Sequence, residues 1–376
     1  MKINQKYSVI IIITVAIVLF FACYLFYKNN HKITLSTEQQ QQVNQLLGNS
    51  ATRCVGVYLI DLPIDFKTDQ VGQLYYQDND VIISTQQQYL PPFKQMVALR
   101  EQELKNTKPI DSIDGDFLKA IYPVSTDNPD KMQGIIFERM EDITIPDVAR
   151  ILEGYRWQDE VTLKIEMKAN NGLAQRYDED RATSSPGLYD NNVPKKLNEI
   201  NKLFERISVL DDLTIPTEPG FCFTNVFMKG ENREHKDMNF IYQYDGNEDF
   251  YFSIDSEDQS YNVALLDIPA AFIMPEFGKT IYKGTRKSKH LSLEEWITKG
   301  KYFEDNIVGR DFMHEGYIFT LGIHMVNSNY RTPKLVVKMF YKIPIDKRKA
   351  YTEEQLMVIW QRITDSIRIR ESSFEN

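Results

Sequence analysis

Cysteine is scarce in this sequence, with three in 376 residues, at positions 23, 54 and 222. That excludes a disulfide-dense scaffold and a cysteine-rich zinc module. Seventeen Gly and 15 Pro are too few for a collagen-like or linker-like chain. Positive charge is also in deficit. Lys and Arg number 44 against 53 Asp and Glu, a net charge of -9, so the basic footprint of a nucleic-acid binder is missing and no nucleic-acid partner is expected. Signature motifs are absent too. There is no G-x-S-x-G elbow, no phosphate-cradling G-x-x-x-x-G-K-[ST], no G-x-G-x-x-G and no H-E-x-x-H. The five histidines (His31, His235, His290, His314 and His324) are scattered. In Glu234-His235 and His314-Glu315 the neighbours would point to opposite faces of a strand. No catalytic residue, metal ligand or cofactor site is therefore expected.

One long apolar run is present. Ser8 to Tyr27 is 20 residues without a charge. As a helix it would span ~30 Å, the thickness of a bilayer's hydrocarbon core. Lys2 and Lys6 precede it, and Lys28 and Lys32 follow it. Tyr24 to Tyr27 make a poor signal-peptidase exit, and Phe21 with the apolar residues after Cys23 argues against a lipoprotein signal. The reading is an uncleaved transmembrane anchor over 1–28, with the large region outside. After the apolar run the chain carries 53 acidic and 42 basic residues.

The remainder is long enough for two domains at ~150 residues each. A polar stalk covers 29–35. Ser36 and Gln39 suit a capping box for a helix from Thr37 to Leu47. Cys54 to Pro63 reads as one strand ended by Pro63, and Asp80 to Thr85 as another. Pro91 and Pro92 open a helix running to about Asn106. Asp116 to Val124 and Met132 to Met140 are β-rich, and Val148 to Lys168 reads as a hairpin. Asn170 to Asn192 reads as a loop. Pro194 begins a helix with Leu197, Ile200, Phe204 and Ile207 on one side. Asp211 to Pro219, with two prolines, reads as a linker, which gives domains over 36–213 and 214–376. The second half restarts with strands at Gly220 to Met228, Lys236 to Tyr244 and Asp249 to Asp255, the last two joined at Asp245-Gly246. Tyr282 to Lys289 leads to Ser292-x-x-Glu295, read as the cap of a short helix. Gly316 to Val326 and Lys334 to Tyr341 read as strands, and Thr352 caps a final helix. The fold class is α+β, with helices laid on a mostly antiparallel sheet in each half.

Carboxylates are grouped at Asp78/Asp80, Asp178/Asp180, Asp245/Asp249 and Asp255/Glu257/Asp258. A glycosidase would need two across a cleft, and a Ca²⁺ loop a denser oxygen pattern. All four groups lie in turn-like sequence and read as solvated loops. Cys54 and Cys222 each open a unit. They are either a bridge between the two units or two buried thiols, because spacing supplies no Cα distance.

Three blocks carry a resemblance: Thr52 to Lys67 (TRCVGVYLIDLPIDFK), Gly220 to Met228 (GFCFTNVFM) and Ile359 to Arg370 (IWQRITDSIRIR). In order and spacing the chain resembles the type VI secretion lipase-immunity proteins that guard against phospholipase effectors of the fourth class. The resemblance covers about Ser50 to Phe374. It implies a periplasmic inhibitor with two α+β domains arranged like a claw around a secreted phospholipase, without catalytic residues or cofactor. Members often carry lipoprotein or cleaved signals, and the uncleaved anchor read here departs from that. The expected role is an inner-membrane, single-pass protein with a periplasmic C-terminal region that occludes substrate access or lid opening in its cognate effector. An envelope chaperone, a ligand-binding module and a carboxylate-based hydrolase are the competing readings.

Overall fold

The computed structural model describes residues 33–375 except positions 70, 79, 125–131, 232, 260–262, 275–277 and 304–312. The apolar segment Ser8 to Tyr27 and Cys23 lie outside the described residues. Among the described residues no helix is long and apolar enough to cross a membrane.

The first half opens with α1 (Thr37–Leu47), whose capping box pairs Ser36 and Gln39 as expected. Strands β1 (Ser50–Val55), β2 (Tyr58–Pro63), β3 (Phe66–Thr68), β4 (Val71–Tyr76) and β5 (Val81–Gln87) follow. Then come α2 (Leu90–Asn106), β6 (Leu118–Pro123), β7 (Met132–Met140), β8 (Ala149–Gln158) and β9 (Val161–Asn170). A short α3 (Asp178–Thr183) sits inside the stretch read as a loop, and α4 (Val193–Arg206) leads to β10 (Ile207–Val209). The second half has β11 (Gly220–Phe223), β12 (Val226–Lys229), β13 (Lys236–Tyr244), β14 (Asn247–Glu257), β15 (Lys279–Lys287), β16 (Ser292–Phe303), β17 (Met313–Ile323) and β18 (Lys334–Lys342). Helix α5 (Glu353–Thr364), capped by Thr352 and Gln355, and β19 (Arg368–Ile369) close the chain.

Several sequence expectations change. Cys54 to Pro63 is a hairpin, not one strand. Gly56 turns the chain at φ +60°, a conformation that costs glycine little. The apolar alternation continues through the turn because Val55 and Val57 are both buried. Gly220 to Met228 is likewise two strands, turning at Asn225 with φ 65°. Ser292 does not cap a helix. It starts β16, which pairs on both sides, and Glu295 is buried there with Arg286 and Trp360 as partners. Strand β4 lacked a clear apolar run because only alternate residues (Gly72, Leu74, Tyr76) are buried.

The two halves do not keep separate sheets. A single antiparallel path runs β15-β16-β17-β18-β14-β13-β4-β5-β9-β8-β7-β6, with β3 also on β13. Strand β13 of the second half pairs directly with β4 of the first, Lys236 to Tyr76 and Met238 to Leu74. One face of this sheet carries the main core, including Ile83, Ile165, Phe240, Phe252, Val337 and Phe319. Helix α4 seats Ile200 and Phe204 against Gly154, where an added Cβ would lie about 3 Å from both. Trp360 of α5 packs on Phe319 with ring centroids 5.5 Å apart.

Helix α2 covers the opposite face at one end, through Phe93, Leu104, Phe137, Tyr155 and Trp157. A fully buried carboxylate pins it there. Glu153 accepts from Arg100 of α2 (2.7 Å), from Arg139 (2.5 Å) and from the Tyr155 hydroxyl (2.6 Å). Burial alone would raise this carboxyl, but those donors outweigh it and hold it at about 2. The native state therefore binds that proton later than the unfolded chain does. The stabilisation is complete above the unfolded value of about 4.5 and disappears as pH falls toward 2. Glu153→Gln is expected to flatten the acid limb of stability over this window. Urea midpoints measured from pH 5 to pH 2 check it, and an unchanged acid limb would refute it.

Candidate functional site

Residues that share a face can be followed through the strand registers. Glu153 aligns with Glu166, Glu166 with Ile82, Ile82 with Tyr75, and Tyr75 with Asp237. Asp237 aligns with Glu257, and Glu257 with Lys334. These side chains lie on the face opposite the main core. Helix α2 covers that face over β7 and β8. At the far end the segment Leu265 to Ile273 covers it, with Leu265, Ile268 and Ile273 packed around Trp296, Met325 and Val336. Between these covers, β4, β13, β14 and β18 present an open surface that crosses the border between the two halves.

Strand alternation decides what this surface displays. The odd positions of β4 and β13 point away from the core, and they include apolar groups. Val71 is 54% exposed, Tyr75 37% and Ile241 37%. Tyr251 and Phe340 stack across β14 and β18 at 4.6 Å. Apolar side chains standing together on an exposed sheet mark an interaction surface more often than chance exposure. A groove of 670 Å³ continues the surface, lined by Asp237, Asp255, Glu257, Val336, Phe340 and Phe272. Its acidic end is uneven. Glu257 is paired with Lys334, and Asp255 accepts from Asn239 at 2.6 Å. Burial, together with the neighbouring charge of Glu257, raises the Asp237 carboxyl despite Lys334. A cation arriving at Asp237 would oppose both effects by favouring the charged carboxylate.

The carboxylates singled out in the sequence do not form one site. Asp178 pairs with Arg181 in α3, and Asp249 with Lys342 beside the β13–β14 turn. Asp80 lies 3.9 Å from Lys168. Asp258 lies in a bend but is buried against Lys236 at 2.5 Å, so its reading as solvated is corrected, and Asp249, Asp255 and Glu257 belong to strand β14 and Asp178 to helix α3 rather than to loops. Asp255 and Glu257 reach the open face, and Asp249 stands on the same side of β14 nearer the turn. His235 sits between Asp78 (3.4 Å) and Glu257 (3.9 Å) at its margin. Among the described residues no group of three or more His, Cys, Asp or Glu could hold a metal ion. The apolar members of the face, Val71, Tyr75 and Ile241, were not singled out in the sequence. Their signal was available as alternation in β4 and β13.

Two family models divide the chain. The Tle cognate immunity protein 4 N-terminal domain matches residues 51–209, and the C-terminal domain matches residues 214–372. The chain belongs to this family. Solved relatives agree in fold. One chain of the Tle4–Tli4 complex crystal structure superposes with a TM-score of 0.62 at 16% identity, over 88% of this chain and 99% of that one. The apo immunity protein TplEi of the T6SS of Pseudomonas aeruginosa gives 0.60 at 17% identity, over 87% and 98%. TplEi complexed with an "L" peptide gives 0.56 at 17% identity, over 86% and 99%. No curated protein sequence matches the chain. As a Tle immunity protein it is not an enzyme, in keeping with the absence of a catalytic constellation from its sequence.

The blocks that carried the resemblance meet in the joint between the two halves of this immunity protein. Cys54 of the first block and Cys222 of the second form a disulfide, with Cα atoms 5.8 Å apart. Gly56 and Cys222 also exchange two backbone hydrogen bonds, at 3.1 and 2.9 Å. The third block returns to the first, since β19 pairs with β2 and Ser366 accepts from the Asp61 amide at 2.8 Å. Arg370 then gathers the linker. It donates to the carbonyls of Pro216 and Glu218, both at 2.9 Å, and of Gly220 at 2.5 Å, with its guanidinium over Phe227. Thr224 closes the joint on the core side. Its carbonyl accepts from Thr85 at 2.7 Å, and its side chain fills the space that a Cβ on Gly72 would need.

Proposed function

We propose that this immunity protein inhibits its cognate Tle lipase by laying the open sheet face across the effector and obstructing substrate access or lid movement. The observation that carries this reading is the uncovered stretch of β4, β13, β14 and β18. It sets Val71, Tyr75 and Ile241 beside unevenly neutralised carboxylates, between two raised covers. Such a surface offers apolar anchors in the middle and charge at one end, the layout of a specific interface. The net charge of -9 favours a partner with a basic patch, which would be steered toward it. The Tle4–Tli4 complex among its structural relatives supports binding of the effector itself. We further place the chain at the inner membrane with residues 29–376 in the periplasm. The uncharged run Ser8 to Tyr27 supports the tether, and the Cys54–Cys222 disulfide supports an oxidising compartment. A blocker held on the bilayer that the lipase attacks works at high effective concentration.

The test is a double variant, Tyr75→Ala with Ile241→Arg. It is expected to weaken binding of the cognate lipase by about 100-fold or more and to abolish protection in a growth assay, with unfolding unchanged. Retained affinity would exclude this face. A tight wild-type complex with an uninhibited lipase would favour a chaperone instead.

A further inference from the structure

The end of the sheet farthest from α2 has the opposite electrostatic character to the rest of the molecule. From Lys279 to Lys301 the chain carries seven basic residues and two acidic ones, within a protein of net charge -9. Arg286 is engaged with Glu295 and Asp365, and Lys299 with Glu315. Lys279, Lys283, Lys287 and Lys289 are exposed and have no ion-pair partner among the described residues. Lys283 and Lys287 are four residues apart on edge strand β15 and share a face. Lys283 aligns with Trp296 and lies 3.5 Å above its ring.

That face also holds an exposed apolar tip. Phe272 is 84% exposed. Its segment is tied to the same part of the sheet: the Leu266 amide donates to Glu294 at 3.2 Å, and Thr280 donates to the Met274 sulfur at 3.7 Å. Trp296 Nε1 donates in turn to Thr280 at 3.0 Å. The tip and the lysines therefore form one fixed unit. An aromatic side chain projecting beside several lysines has the chemistry of a peripheral membrane contact, in which the ring enters the headgroup boundary and the ammonium groups meet lipid phosphates.

The reach of the chain permits it. Helices α1 and α5 lie side by side in the same direction, Gln39 against Thr352 and Arg362 against Asn44. Arg286 of β15 bonds Thr364 at the far end of α5. Arg286, on the α5 side of β15, thus stands about one α5 length, roughly 18 Å, from where the chain enters α1, and Lys283 and Lys287 lie across the same edge strand on its other face. The nine residues 28–36 can cover up to about 30 Å. We infer that β15 and the Phe272 tip form a second, peripheral contact with an anionic phospholipid surface and fix the orientation of the protein on the bilayer. This contact shares Phe272 with the far margin of the groove that continues the open face, so it is tested with no lipase present.

The experiment uses the full chain carrying Phe272→Trp, reconstituted in vesicles whose lipid tails are brominated. Added quenching, relative to the same chain with Phe272, reports ring insertion. Vesicles with about one third phosphatidylglycerol are compared with pure phosphatidylcholine. The anionic-to-neutral quenching ratio is expected to exceed about five, the factor one lysine is worth at an anionic surface. It should collapse toward one in about 0.5 M salt, and equally when Lys283→Glu and Lys287→Glu are added to a chain whose thermal unfolding is unchanged. Equal quenching in both lipids, absence of quenching in either, or indifference to the charge reversals would overturn the proposal.

Discussion

Replacing Cys54 and Cys222 together by serine is expected to cost the folded protein up to about 5 kcal/mol and to lower its thermal midpoint by about 5–10 °C. The bridge joins residues 168 positions apart. A chain closed into so long a loop loses much of its unfolded-state freedom, so removing the link stabilises the unfolded chain. The folded joint retains other ties. Gly56 and Cys222 still exchange backbone hydrogen bonds, and Tyr58 still donates to the Pro333 carbonyl at 2.6 Å. The loss should therefore appear in stability rather than in fold. Thermal scans of the variant, and of wild-type protein with and without reductant, check this. A midpoint within about 2 °C of the oxidised protein would show that the joint does not depend on the bridge.

Arg370→Ala is the second large effect, at about 3–5 kcal/mol. The side chain is only 2% exposed and has no carboxylate partner among the described residues. Burial lowers its guanidinium to about 10, and the carbonyls of Pro216, Glu218 and Gly220 offset that cost. Truncation takes the guanidinium from the Glu218 and Gly220 carbonyls, leaves Pro216 with the Ser372 hydroxyl alone, and removes a cation from the Phe227 ring. Arg370→Lys should recover less than half of the loss, because a compact ammonium cannot fan out to three carbonyls as a planar guanidinium does. Denaturant unfolding of both variants decides it. Full rescue by lysine would mean that the charge, not the fork geometry, holds the linker.

Much of the architecture was legible because local signals agreed with the final contacts. The capping boxes at Ser36 and Thr352 and the double proline at Pro91-Pro92 mark real helix starts. The β8–β9 hairpin was readable from alternation and its turn at Asp159, which takes φ 46°. Failures came where one local pattern served two structures. Ser292 and Glu295 have capping spacing, but their strand neighbours on both sides decide the outcome. Gly56 and Asn225 are single-residue signals, easily overridden by apolar runs such as CVGVYLI and GFCFTNVFM. The shared sheet could not be read at all, because the Lys236–Tyr76 pairing is non-local and leaves no periodic trace. The open face was half legible. Its acids Asp255 and Glu257 stand out in the sequence, whereas Val71, Tyr75 and Ile241 look like ordinary strand residues until the fold leaves them partly exposed between the two covers among the described residues.

The pairing of β19 with β2 has a consequence for the order in which the molecule can be made. Arg368 sits opposite Leu59, and Ile369 opposite Tyr58. The first domain's opening hairpin thus waits for nearly the last residues of the chain to acquire its third strand. Until then the edge of β2 away from β1 is left unpaired, and the closure of so long a loop is slow. A chain interrupted anywhere between β2 and residue 368 is therefore a strand short in its first domain, so the opening hairpin is completed only by residues about 300 positions downstream.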